Sequence, residues 1–203
     1  RRHRAPGRAG RSTPGPCGNG VDDDGDGDVD YPLDSGCLSA SGASEQSCAL
    51  ETNPLLTVAA AATIGTTVGA TNDFVPACIT GTTRTAPDRV HLLTLAVPVA
   101  SLTLDTAGSG YDTVLQFAGE TCAPVLACDE DAGPGTTSLI TRTAVAPGTY
   151  AVIVDGFGAG AGSYTLNVRG TLAAGGSCAD PLVAAGVLVC PTGTTCQAGV
   201  CAP

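Results

Sequence analysis

Ser101-Leu-Thr-Leu-Asp105, Tyr150-Ala-Val-Ile-Val154 and Tyr164-Thr-Leu-Asn-Val168 place an apolar side chain at every second position, the period of a strand with one face toward a core. Leu102 and Leu104 share one such face, as do Tyr150, Val152 and Val154, and Tyr164, Leu166 and Val168. Turn chemistry separates the segments: Ala107-Gly-Ser-Gly110, Gly133-Pro-Gly135, Ala146-Pro-Gly148 and the glycine-rich run from Gly156 to Gly162. Short strands at this spacing predict an all-β fold, an antiparallel β-sandwich of jelly-roll-like form with disulfide-rich flanking segments.

Working outward, composition sets limits on what this sandwich can be. Aromatic residues are few, so the core is expected to be thin and built from Val, Leu, Ile and Ala. Thin cores need staples, and ten cysteines beside two histidines point to disulfides formed in an oxidising compartment. The expected location is therefore secreted, extracellular or at a cell surface. The first residues lack an apolar signal segment and the chain has no methionine, as expected of a processed chain. The run from Leu55 to Ile64 is about half the length of a membrane-spanning helix, so no membrane span is predicted. The net charge is −10, yet five of the nine arginines fall in the first eleven residues and there is no lysine. A nucleic-acid partner is excluded by the missing basic stripe.

Four segments follow from these shifts. Residues 1–16 form a basic Pro/Gly-rich arm, which charge complementarity would dock against the acidic body of a neighbouring copy. Residues 17–47 hold an acidic loop bounded by Cys17 and Cys37, followed by a small polar linker. Residues 48–170 form the sandwich, and residues 171–203 a cysteine-rich C-terminal module.

The acidic loop reads Val21-Asp-Asp-Asp-Gly-Asp-Gly-Asp-Val-Asp30 and continues to Asp34. Asp22, Asp24, Asp26, Asp28, Asp30 and Asp34 are the candidate calcium ligands. A hard cation takes six to eight oxygens, alternate carboxylates supply them, and Gly27 permits the bend. Leu33 stands where an EF-hand has its bidentate glutamate, and Pro32 interrupts the loop. The spacing resembles the calcium loops of thrombospondin type 3 repeats. Asp112, Asp129 and Asp131 form a weaker second calcium candidate, with Glu130 between the last two; Asp73 and Asp88 read as turn and strand-start residues.

Across about 120 residues the middle of the chain resembles the bacterial pre-peptidase C-terminal domains, β-sandwiches appended to secreted peptidases. The resemblance is carried by Gly65-Thr-Thr-Val-Gly-Ala-Thr-Asn-Asp73, Asp88-Arg-Val-His-Leu-Leu-Thr-Leu95, Tyr111-Asp-Thr-Val-Leu-Gln-Phe117, Ala127-Cys-Asp-Glu-Asp131, Pro147-Gly-Thr-Tyr-Ala-Val-Ile-Val-Asp-Gly156 and Gly162-Ser-Tyr-Thr-Leu-Asn-Val168. Where the family often has an aromatic residue, His91 and Leu93 stand here. Spacing allows Cys48 to pair with Cys78 and Cys122 with Cys128, the pairings expected here. Cys178, Cys190, Cys196 and Cys201 form a two-disulfide knot with three conceivable pairings. Resemblance to small secreted cysteine-rich modules implies Cys178–Cys196 and Cys190–Cys201. Zinc is disfavoured there by the absence of a Cys-x-x-Cys pair or a nearby histidine.

No catalytic constellation is legible. His91 falls within a strand, the paired carboxylates cluster where a cation would sit, and no glycine-rich loop leads from a strand into a helix. The expected function is that of a non-catalytic, calcium- and disulfide-stabilised subunit of a cell-surface or extracellular fibre, assembling with copies of itself. The alternative is an accessory module that binds an extracellular polymer. The resembling family includes collagen-binding domains that use exposed tyrosines, for which Tyr111, Tyr150 and Tyr164 are the candidates, although two of these look core-facing.

Overall fold

The computed structural model describes residues 15–21, 29, 30, 53–80 and 84–203. The first sheet contains β1 (Leu56–Thr57), β3 (Arg89–Leu95), β8 (Gly148–Gly156), β5 (Thr113–Gly119) and β6 (Val125–Asp129), in that spatial order. The second contains β4 (Val99–Asp105), β7 (Leu139–Val145) and β9 (Ser163–Leu172), with β4 central between the other two. At ten residues β9 is long enough for two short strands to share its free edge. β2 (Ala62–Thr66) runs antiparallel to Ser163–Asn167, and β10 (Leu188–Val189) runs parallel to Gly170–Thr171. β11 (Thr195–Gln197) and β12 (Val200–Ala202) form a separate hairpin.

Alternation along β4 and β9 produces the core as predicted. Leu102, Leu104, Tyr164, Leu166 and Val168 meet Leu93, Leu115, Phe117, Val152 and Val154 of the first sheet in one buried cluster. Such burial contributes roughly 25 cal/mol per Å² of apolar surface removed from water. The first sheet departs from half-burial, because β5 and β8 are covered on both faces. While Val152 and Val154 face the sandwich core, Ala151 and Ile153 face outward into a second cluster with Phe74, Val90, Ala118 and Cys122. The cover is the irregular segment between β2 and β3. Continuous apolar runs such as Ala151–Val154 belong to strands buried on both sides.

The same cover overturns the expected bridges of the sandwich. Cys78 pairs with Cys128, at a Cα separation of 5.5 Å, so neither Cys48–Cys78 nor Cys122–Cys128 forms. Register explains it. Cys128 lies opposite Gln116, whose side-chain oxygen accepts the Ala77 N–H at 3.0 Å, and this brings Cys78 over the end of β6. Cys17 and Cys122 are themselves disulfide-bonded. In the C-terminal segment the interleaved pairs Cys178–Cys196 and Cys190–Cys201 are formed. Cys178, Leu182, Val187, Leu188 and Cys201 complete the same core as the two sheets. The short helix α1 (Pro181–Ala184) is capped by Asp180, which accepts the Leu182 N–H with one oxygen and the Ala96 N–H, from the β3–β4 turn, with the other.

Candidate functional site

Among the described residues three places hold chemistry: an acidic corner at one end of the first sheet, a buried polar group beneath its cover, and the open outer face of the second sheet. Antiparallel pairing of β5 with β6 brings Asp112, just before β5, beside the residues just after β6. Carboxylate oxygens of Asp112, Glu130 and Asp131 lie within 4.8 Å of one another. Asp112 Oδ1 is buried without a hydrogen-bond partner. Asp112 is raised above the ordinary carboxylate range by burial and then by the charge of Asp131. Glu130 is raised by burial and by the charges of Asp131, Asp112 and Asp129. Three converging carboxylates, one with an unused oxygen, suit a hard divalent cation.

The carboxylates that converge at this corner differ in part from the set read from spacing. Asp129 stands apart from the cluster, since its Oδ2 accepts the N–H groups of Ala132 (3.1 Å) and Leu139 (2.8 Å) and so shapes the loop between β6 and β7. Glu130 takes its place. The Ser138 hydroxyl, within hydrogen-bonding distance of the Thr113 and Glu130 carbonyls, ties that loop to β5. Asp22, Asp24, Asp26, Asp28 and Asp34, with Cys37 and Cys48, lie outside the described residues. Asp30 is described, and its two oxygens accept the N–H groups of Asn19 (3.0 Å) and Gly20 (2.6 Å) across the neck of the acidic loop.

Beneath the cover, Asp88 and Asp155 are fully buried. Asp88, read from sequence as a strand-start residue and standing just before β3, accepts the N–H groups of Asp73 and Phe74 at 2.8 and 2.9 Å. Asp155 was unremarked in sequence; its place at the end of the apolar run Ala151–Val154 is the signal of its burial. Burial pushes Asp88 up to about 7 against the opposing pull of its N–H donors. Burial and then the charge of Asp88 push Asp155 to about 9. On the opposite face of β3, His91 is buried with Nε2 2.8 Å from the Tyr164 hydroxyl. Burial first, then the Arg89 charge, lowers its imidazole to about 4. It is a neutral core histidine bonded to a tyrosine.

The three candidate tyrosines do not form a contact surface. Tyr164 is buried, and Tyr150 stacks on Phe117 with ring centres 4.9 Å apart. Half-buried Tyr111 places its hydroxyl 3.3 Å from the Asp155 carbonyl. Across β7, β4 and β9 the second sheet exposes mostly polar residues, with apolar Ile64 of β2 and Val189 of β10 exposed at its edge. Register sets Thr141, Thr103 and Arg169 in one rank across β7, β4 and β9, and Thr143, Ser101 and Thr171 in the next. Asp105, one further rank along, pairs with the Arg169 guanidinium and with the Asn167 amide. A shallow groove of about 240 Å³ runs beside these ranks, lined by Ser101, Thr103, Arg169, Thr171, Val187 and Val189.

No known family and no curated protein matches the chain. Among solved structures it is similar to the pre-peptidase C-terminal domain of a collagenase from Bacillus anthracis. The identity is 14% and the TM-score 0.42, over 59% of this chain and 98% of that one. Among the described residues no helix is long and apolar enough to cross a membrane.

Proposed function

We propose that this chain is a non-catalytic accessory module of a secreted hydrolase system, which binds an extracellular polymer through the outer face of its second sheet. The carrying observation is the open two-rank array of Thr141, Thr103, Arg169, Thr143, Ser101 and Thr171 beside a groove. Hydroxyls and a guanidinium held in register on a rigid sheet suit the hydroxyl-rich surface of a polysaccharide through hydrogen bonds. The tyrosine-mediated contact expected for collagen finds no support in their burial. Three described disulfides and the sequence resemblance to pre-peptidase C-terminal domains support an extracellular place of work. Calcium at Asp112, Glu130 and Asp131 would brace the loop end of the sandwich.

The self-assembling fibre reading rests chiefly on the basic arm, of which residues 1–14 lie outside the described residues. A pull-down on insoluble polysaccharides and on collagen, with sizing and negative-stain microscopy of the free protein, separates the two. Retention on a polysaccharide that is lost with Thr103→Glu and Thr143→Glu supports the accessory module. Polymers of the protein alone, without retention, would overturn it.

A further inference from the structure

We propose that Asp88 and Asp155 share a proton at neutral pH and form an alkaline-released clasp for the segment covering the outer face of the first sheet. The pairing Arg89↔Val154 between β3 and β8 sets Asp88 directly across from Asp155, on the face that carries Val90 and Ile153. Each carboxyl has one satisfied oxygen and one orphan. Asp88 Oδ2 holds the Asp73 and Phe74 N–H groups and Asp155 Oδ1 accepts the Gly156 N–H, whereas Asp88 Oδ1 and Asp155 Oδ2 are buried without a donor. Two ionised carboxylates cannot both be accommodated in a dry site on adjacent strands, so one of the two keeps its proton.

The proton belongs on Asp155. Asp88 has two backbone donors that favour its anion, and its charge in turn favours the neutral acid on Asp155. Among the described residues the other titratable or charged groups facing the pair are Asp73, Arg89 and Tyr111. The Arg89 guanidinium is engaged with the Thr66 carbonyl and Asn53 Oδ1, and the Tyr111 hydroxyl with the Asp155 carbonyl. Neither supplies a donor to the orphan oxygens.

When the proton leaves, the repulsion acts on what Asp88 holds, the irregular chain at Asp73 and Phe74. Among its described residues that chain has no strand pairing to resist. It lifts from Val90 and Ile153, while the Cys78–Cys128 bridge keeps it tethered and able to return.

The test is a carboxyl ¹³C titration of the whole labelled chain by NMR, with amide exchange at Phe74 followed in parallel. One carboxyl of the pair is expected to stay protonated through neutrality, and Phe74 protection to fall by at least about tenfold above its midpoint. Asp155→Asn, whose amide can donate to Asp88 Oδ1, should keep Phe74 protected at alkaline pH. Both carboxyls titrating in the ordinary acidic range would overturn the proposal, as would midpoints that move on adding calcium or a chelator, since a cation would then occupy the place of the proton. Should the variant fail to fold, the wild-type titration decides alone.

Discussion

The Nε2 of His91 and the hydroxyl of Tyr164 lie 2.8 Å apart with ring planes at 89°, joining the two sheets across the dry core of the sandwich. Nδ1 of the same ring has no partner. A proton on Nε2 therefore donates to the hydroxyl and leaves only a lone pair unsatisfied. Tyr164→Phe should cost about 1–3 kcal/mol in denaturant unfolding, because it leaves a buried donor unpaired. The folded imidazole lies at about 4, below its unfolded value of 6.5. The unfolded chain then binds the extra proton between those values, and stability falls as pH falls through that window. Relative to His91→Gln, the wild type should lose on the order of 3 kcal/mol from pH 6.5 to pH 4. Parallel curves for the two proteins would refute a buried neutral histidine.

Tyr164 also explains Gly65. In β2, Gly65 pairs with Tyr164, and the tyrosine ring occupies the space where a side chain at position 65 would begin. The hydroxyl is anchored on His91, so the ring cannot retreat. Gly65→Ala should destabilise the fold by about 1–3 kcal/mol, the usual cost of overpacking. Gly69, with open space around it and a positive φ of 80°, is the control: Ala there adds backbone strain without a clash, leaving the His91–Tyr164 contact and its NMR signature unchanged.

Much of the architecture is legible in sequence, for a physical reason that also marks its limit. β4 and β9 have one wet face, so Leu102, Leu104, Leu166 and Val168 alternate with Thr103, Thr165 and Asn167 and announce themselves. β5 and β8 have none. Their outer face is covered by chain that lies between β2 and β3, and no periodicity in Ala151–Val154 reports which distant segment supplies the cover. The Cys78–Cys128 bridge depends on the same crossing, which spacing does not report, whereas the C-terminal pairs, 18 and 11 residues apart, are those implied by the resemblance to small cysteine-rich modules and not by spacing, which leaves three pairings open. Asp112 and Asp131 converge as spacing suggests. The exchange of Asp129 for Glu130 turns on backbone N–H groups of a loop whose conformation local sequence does not encode.

Removing the long bridge should show what holds the cover. Cys78 and Cys128 lie 50 positions apart in sequence, and closing a loop of that length is worth about 4 kcal/mol through the unfolded chain. The double variant Cys78→Ser, Cys128→Ser should lose about 2–4 kcal/mol. Its amide exchange should rise first around Phe74 and Ala77, with β4 and β9 exchanging as before. Uniform acceleration across both sheets would mean that the cover and the sandwich unfold as one unit.

Asp180 binds the C-terminal segment to the sandwich through two charge-assisted acceptors, one to the start of α1 and one to Ala96. Asp180→Ala leaves both N–H groups without their acceptor beside a groove of about 350 Å³ formed by Thr57, Val58, Ala96, Pro181 and Leu182. A loss of about 2–3 kcal/mol is expected, the sum of a helix cap and a buried hydrogen bond. Asp180→Asn retains one acceptor oxygen and should recover part of it. Equal melting temperatures for wild type and Asp180→Ala would show that Leu182 and Leu188 anchor the segment by packing alone.

The acidic corner makes the remaining prediction. With no cation, Asp112, Glu130 and Asp131 repel one another at the end of β6, and Asp112 Oδ1 stays desolvated. The raised affinity of Asp112 and Glu130 for protons means that, metal-free, this corner is more stable in mild acid and loses that stability as pH rises through the shifted carboxylate range. A divalent cation replaces the protons and reverses the dependence. Calcium at a hundredfold excess over its dissociation constant should add about 2.7 kcal/mol at neutral pH. The acidic loop near Asp30 is a second candidate cation site, so the single variant Asp131→Asn assigns the effect. If the calcium-induced rise in melting temperature persists undiminished in that variant, the ion sits elsewhere; if it falls by half or more, the carboxylates after β6 hold it.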